Sequence, residues 1–218
     1  MDWERFRLGE GSRGDLGSGD KIPRHKPGET FIRGPIPWPW LKTATQLDGA
    51  GFAVTVGVWY LARRYGRNVR AGIPELAESL GVGRTSIKSG LRLAELAGLI
   101  SVERAPGKKL VLGLRSISGP GRDTRSLRGP IPFEWWRSAT QLGGTTLRAG
   151  AVCWTVAGWE RSPEFVLELG EWSELGLTRF TIARGLDRLD GAGLISVEKR
   201  PGRSPVVRLE AQTGKIPV

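Results

Sequence analysis

From Trp40 to about Arg64, apolar residues recur at helical spacing with a break near Asp48-Gly49, so the pattern predicts a short helix followed by a longer one. Asn68 and Gly72 close that region. Ile73-Pro74-Glu75-Leu76-Ala77-Glu78-Ser79-Leu80 places Pro at an early helical position, where its missing N–H costs nothing, and stops at Gly81, which supplies a tight turn. A further helix is predicted from Arg84 to Ala97. Its apolar stripe is Ile87, Leu91 and Ala94, four and three residues apart, and Gly98 stands where a helix-ending glycine belongs. Leu99-Ile100-Ser101-Val102 then alternates as a strand, Ala105-Pro106-Gly107-Lys108 turns the chain, and Leu110-Val111-Leu112 returns it. The predicted order is a helix-turn-helix followed by a β-hairpin.

The same order is written twice. Arg33-Gly34-Pro35-Ile36-Pro37 returns as Arg128-Gly129-Pro130-Ile131-Pro132, and Ala97 to Glu103 returns unchanged as Ala192 to Glu198, both at an offset of 95 residues. Residues 33–114 laid gaplessly on 128–209 give 30 identities in 82 positions, which reads as a duplicated domain. The fold class expected is mainly α with small β-hairpin wings, an α+β arrangement in two tandem units. Unit boundaries are expected at 31–114 and 128–210, with 115–127 (RSISGPGRDTRSL) as a Gly-, Ser- and Arg-rich linker and with 1–30 and 211–218 as poorly ordered tails.

Charge adds a partner to this picture. Thirty-three Lys and Arg against 22 Asp and Glu give a net charge of +11, an excess that attracts an anionic macromolecule, nucleic acid first. A basic chain that is merely soluble is the plain alternative. No apolar run reaches the roughly 18–20 residues a membrane span needs. Residues 1–30 lack the apolar stretch of a secretory signal, so a cytoplasmic, nucleoid-associated location without membrane contact is expected. One cysteine, Cys153, excludes an intrachain disulfide and a thiolate metal cluster.

Leu76–Glu103 (LAESLGVGRTSIKSGLRLAELAGLISVE) resembles the DNA-binding core of winged-helix bacterial regulators, especially of the GntR and MarR type, in its turn Gly81, its Ile87/Leu91 pattern and its Gly98-Leu99-Ile100 lead into the wing. The resemblance spans about 40 residues per unit. The second copy keeps the marks from Leu175 through Ile195 but departs upstream, where Val166 to Trp172 replaces the alanine-containing helix. What the resemblance implies is a tandem winged helix-turn-helix protein whose second motif helix lies in the major groove. Those families usually append an effector domain or dimerise through extra helices, and neither has an obvious place here.

The residues themselves fit that chemistry. Arg84, Thr85, Ser86, Lys88, Ser89 and Arg92 lie off the Ile87/Leu91 stripe, and the corresponding outward set in the second unit is Thr178, Arg179, Phe180, Thr181, Arg184 and Arg188. Arg84 is the candidate reader of guanine, because its planar fork matches two groove acceptors, and Phe180 could meet a thymine methyl. The hairpin tips carry Arg104, Lys108 and Lys109 in the first unit and Lys199, Arg200 and Arg203 in the second, suited to phosphate or minor-groove contact. For each cation a solvated surface charge is the plain alternative.

Residues 33–114 carry a net +7 and 128–209 a net +2, because Glu160, Glu164, Glu168, Glu171 and Glu174 precede the second recognition helix. The acidic stretch is expected to face away from DNA and to offer a surface for a protein partner or a homodimer contact. Nine tryptophans invite a base-stacking reading, but Trp59 aligns with Trp154 and Trp40 with Trp135 inside helical patterns, which favours core packing. Cys153 beside Trp154 reads as a buried inert thiol, and His25 has no partner in the pattern. With one His, one Cys and no phosphate-cradling glycine loop, no catalytic role, cofactor or metal is expected.

The function expected is a sequence-specific, double-stranded DNA-binding transcription regulator of the kind carried on plasmids and mobile elements, with two non-identical recognition helices and an asymmetric target. Two alternatives stay open. A plasmid or mobile-element replication initiator would open strands at an origin, and an architectural, chromosome-organising interaction protein would need no basic wings.

Overall fold

A computed structural model describes residues 22–23, 27–47, 49–66, 68–117, 125–199 and 201–210. The expected tails 1–30 and 211–218 and the expected linker 115–127 fall largely outside these residues. Among them are seven α-helices and ten short strands, all of the sheet pairings antiparallel. No helix among the described residues is long and apolar enough to cross a membrane.

The short and long helices predicted before Arg64 are α1 (Trp38–Gln46) and α2 (Gly49–Tyr65), the first ending at Gln46 and the second beginning at Gly49. Pro39 sits in the first turn of α1, and α2 is buried almost all round from Phe52 to Ala62, so it forms the spine of the first half. Helix α3 (Ile73–Leu80) starts where the Glu75 carboxylate reaches back to accept the Gly72 N–H at 3.0 Å, and it stops at Gly81, whose φ of 65° only glycine adopts cheaply. Helix α4 (Arg84–Leu96) follows after a three-residue turn. Its Ile87, Gly90, Leu91 and Ala94 are buried against α2, and Gly90 is needed there because a Cβ would stand 2.7 Å from a Val54 methyl and 3.0 Å from the Ala50 carbonyl. The predicted hairpin is β4 (Ile100–Glu103) with β5 (Leu110–Leu114).

One strand of the first half's sheet escaped the sequence reading. Asn68–Ala71 pairs with β5 as β3 and makes the sheet three-stranded, in the order β3-β5-β4. It alternates exposed and buried positions, but a strand of four residues is too short for the pattern to stand out.

The second half repeats this plan. Helices α5 (Phe133–Gln141), α6 (Gly144–Glu160) and α7 (Arg179–Gly191) lie 95 residues after α1, α2 and α4 with identical lengths. Strands β8 (Glu164–Val166), β10 (Val206–Leu209) and β9 (Ile195–Glu198) form the matching sheet, in that order. The difference is at α3, whose counterpart is a single 3₁₀ turn, Ser173–Leu175, before Gly176 in the left-handed region. Trp172, Leu175 and Leu177 are buried there, so anchoring of the turn is retained without a full helix.

The two halves are built into one another. Strand β1 (Phe31–Ile32) pairs with β7 (Ile131–Pro132), and β2 (Ile36–Pro37) pairs with β6 (Ser126–Leu127). The segment 115–127 therefore corrects the expectation of a plain linker: its last residues are a strand, and the Trp38 N–H donates to the Arg125 carbonyl at 3.1 Å. Helix α2 packs on α6, and its Phe52 and Tyr60 reach α5, Phe52 edge-on to Trp136 at 5.6 Å and Tyr60 stacked on Phe133 at 4.0 Å between ring centres. Trp38 meets Trp159 and Trp172. One hydrophobic core consequently runs through both halves. Arg33-Gly34 and Arg128-Gly129 cross at its edge, where a Cβ on Gly34 would lie 2.4 Å from the Gly129 nitrogen.

Candidate nucleic-acid interface

Burial of one face of α4 against α2 fixes what its other face offers. Arg84, Thr85, Lys88, Ser89 and Arg92 are exposed and Ser86 is half-buried, with no ion pair to any of the three cations among the described residues. The Ser89 hydroxyl donates to the Ser86 carbonyl at 3.1 Å. Three cations without an ion pair among the described residues thus share one exposed helical face, a local excess of positive charge that attracts anions.

Helix α7 presents a different face on the same plan. Arg179, Phe180, Arg184 and Arg188 are exposed, and Phe180 keeps 69% of its surface accessible. The Arg184 guanidinium lies 5.8 Å from the Phe180 ring centre, near enough for a cation–π contact that steadies an apolar side chain in water. Thr178 and Thr181 have a local role: each side chain accepts the other's backbone N–H, at 2.8 and 3.2 Å, in a reciprocal cap at the start of α7. Arg188 turns toward the α5–α6 corner, donating to the Leu142 carbonyl at 3.5 Å. Arg179 and Arg184 are left as the outward cations of the second face.

The hairpins are basic but partly self-neutralised. Arg104 donates to both Glu95 carboxylate oxygens, at 2.7 and 3.2 Å, and this holds the Glu95 carboxyl below its ordinary range. Lys109 pairs with Glu75, whose carboxyl is likewise lowered, first by that lysine and then by the Gly72 N–H. Lys199 pairs with Asp187 of α7. Lys108 and Arg203 are exposed and have no ion pair among the described residues, whereas Arg200 lies outside them. The exposed pairs contribute little to stability and can be exchanged for phosphate at small cost.

Within the acidic stretch Glu160 to Glu174, the residues Glu160, Glu168 and Glu171 are exposed, while Glu164 and Glu174 are half-buried in ion pairs. Glu174 ties the halves together through Arg125 at 2.7 Å and Lys42 at 3.7 Å, and its carbonyl accepts from Gln46 at 3.2 Å. Glu164 meets Arg208 at 3.5 Å, and Glu168 accepts from the Ser204 hydroxyl at 2.8 Å. Glu160 has its carboxyl pushed up by partial burial.

The remaining residues of chemical interest are structural. Trp40 and Trp135 donate their indole N–H groups to the Leu99 and Leu194 carbonyls, at 3.4 and 2.9 Å, where each hairpin leaves its helix. Cys153 is fully buried, and desolvation pushes its thiol up to about 12. Among the described residues no group of three or more His, Cys, Asp or Glu is placed to hold a metal ion. The residues that sequence reasoning missed are Arg125, Lys42 and Gln46, which join the halves. Their only signal was the exact recurrence of Arg-Gly-Pro-Ile-Pro, which a simple approach to a helix does not require. No protein-family model matches the chain, and no curated protein matches it either.

Proposed function

We propose that the chain is a sequence-specific, double-stranded DNA-binding transcription regulator, made of two duplicated winged helix-turn-helix units fused over one core. The observation that carries this reading is the pair of 13-residue helices α4 and α7, each set after a tight turn and each burying one face while its other face holds exposed arginines. A helix of this kind fits the major groove, where arginine can read guanine and lysine can meet phosphate. Arg84 and Arg179, at the first position of each helix, are the base-reading candidates. The β4–β5 and β9–β10 hairpins act as wings on the flanking backbone, with Lys108 and Arg203 as the cations ready for phosphate.

The test is equilibrium binding of the full chain to a mixed-sequence duplex across a salt series. Seven outward cations, Arg84, Lys88, Arg92, Lys108, Arg179, Arg184 and Arg203, set a ceiling on the phosphates neutralised. At about 0.9 per phosphate, the slope of log K on log salt is expected between about −3 and −6. The triple variant Arg84→Ala, Lys88→Ala, Arg92→Ala should remove roughly half of that slope. Absence of duplex binding at moderate salt, or a triple variant that binds like the parent, defeats the proposal.

A further inference from the structure

We infer that the DNA target is an inverted repeat with unlike halves, read at a fixed spacing; the inference rests on the DNA-binding proposal above. It follows from how the halves meet. Phe31 pairs with Pro132 and Ile32 with Ile131, while Ser126 pairs with Pro37 and Leu127 with Ile36. Moving each residue by the 95-residue offset converts the first pair of contacts into the second and the second into the first. The turns obey the same exchange: Gly176 stands against Gln46 of α1, with an added Cβ 3.1 Å from its Oε1, and Gly81 stands against Gln141 of α5, with an added Cβ 3.6 Å from its Nε2. Contacts that map onto themselves under exchange of the two partners are isologous, the mark of a two-fold axis. Units repeated by simple translation would instead present different surfaces to each other.

A two-fold relation between α4 and α7 has one consequence for DNA. The duplex has two-fold axes of its own, and two helices so related meet equivalent groove edges only when the half-sites run in opposite directions. Spacing is fixed as well, because α4 packs on α2, α2 on α6 and α6 on α7 within one core, and no free tether separates them. The chain therefore departs from a pair of units on a string, which would accept varied spacing and either orientation.

The side chains then say how the halves differ. Arg84 and Arg179 occupy the same position of their helices, so one G·C pair should recur at two-fold-related places. At the 95-residue offset Thr85 corresponds to Phe180, Lys88 to Ala183 and Ser89 to Arg184, so the neighbouring base pairs should not be symmetric.

The experiment selects full-chain binders from a pool of random duplexes and sequences them. Two variants of the winning site are then made, one with a single half-site reversed in place and one with 5 bp inserted between the halves. The expected site is inverted, with a common G·C pair and unlike flanks, and each variant should bind at least about 100-fold more weakly, as one half loses its helix. Selection of directly repeated or single half-sites overturns the inference while leaving DNA reading in place, as does unchanged affinity after the insertion. A pool with no enriched duplex removes both.

Discussion

Gly34→Ala is the most informative single change in the core. The added Cβ would stand 2.4 Å from the Gly129 nitrogen, 2.9 Å from the Leu127 carbonyl oxygen and 3.1 Å from the Arg128 carbonyl carbon. All three are backbone atoms held by the β1–β7 and β2–β6 pairings, so no side chain can swing away to make room. Overpacking by one methyl group costs about 1–3 kcal/mol, with the upper end expected where backbone must move. Loss of unfolded-state freedom on replacing glycine returns about 0.4–1 kcal/mol, leaving a net destabilisation of about 2 kcal/mol. For a chain of this size that is a fall in Tm of about 4–8 °C. Gly191→Ala is the matched control, because Gly191 lies in α7, has no atom within 4 Å of an added Cβ and has no positive φ. It should raise Tm by about 1–4 °C, since alanine favours helix. Thermal unfolding followed by far-UV circular dichroism reads both. A Gly34→Ala chain that melts at or above the parent, beside a control that behaves as expected, would refute the crossing of the two halves at this glycine pair.

Other consequences can be checked as directly. A chain cut to residues 22–117 exposes Trp38, Phe52 and Tyr60, which are buried against the second half, so it should self-associate or unfold rather than run as a folded monomer in size-exclusion chromatography with light scattering. Glu95→Gln frees Arg104 and removes a negative charge from α4 itself, and should tighten duplex binding about threefold at low salt by fluorescence anisotropy; weaker binding would contradict that role for the pair. Because Arg104 lowers the Glu95 carboxyl, its stabilising contribution is complete above the ordinary glutamate range and is lost as pH falls through the lowered folded value. Melting temperatures from pH 7 to 3 should therefore fall slightly less in Glu95→Gln than in the parent. The Cys153 thiol, raised to about 12 by burial, should resist a thiol-labelling reagent at pH 8 until the chain unfolds.

Much of each half was legible because local signals agreed with one another. Pro74 and Gly81 bracket α3, Ile87, Leu91 and Ala94 mark the buried stripe of α4, and Pro106-Gly107 marks the hairpin turn. The exposed faces of α4 and α7 followed from the same periodicity. What lay beyond the pattern depended on contacts distant in sequence. Asn68–Ala71 becomes a strand only because β5 returns beside it, and Ser126–Leu127 becomes one because Ile36–Pro37 crosses to it. Charge type was readable but charge pairing was not: Glu174 reads as part of an acidic run, yet Arg125 and Lys42 reach it from around the joint. The capping role of Thr178 and Thr181 was likewise hidden by their outward position.

The measurement closest to the central claim is the sequence preference of Arg84→Ala and Arg179→Ala compared with the parent chain, read by selection from the same random duplex pool. The expected result is that each substitution relaxes a single base-pair position, one in each half of the site, with loss of discrimination of about 1–3 kcal/mol at that position and the other half unchanged. Substitutions that leave the selected sequences intact, or that weaken binding evenly across all sequences, would contradict base reading by α4 and α7.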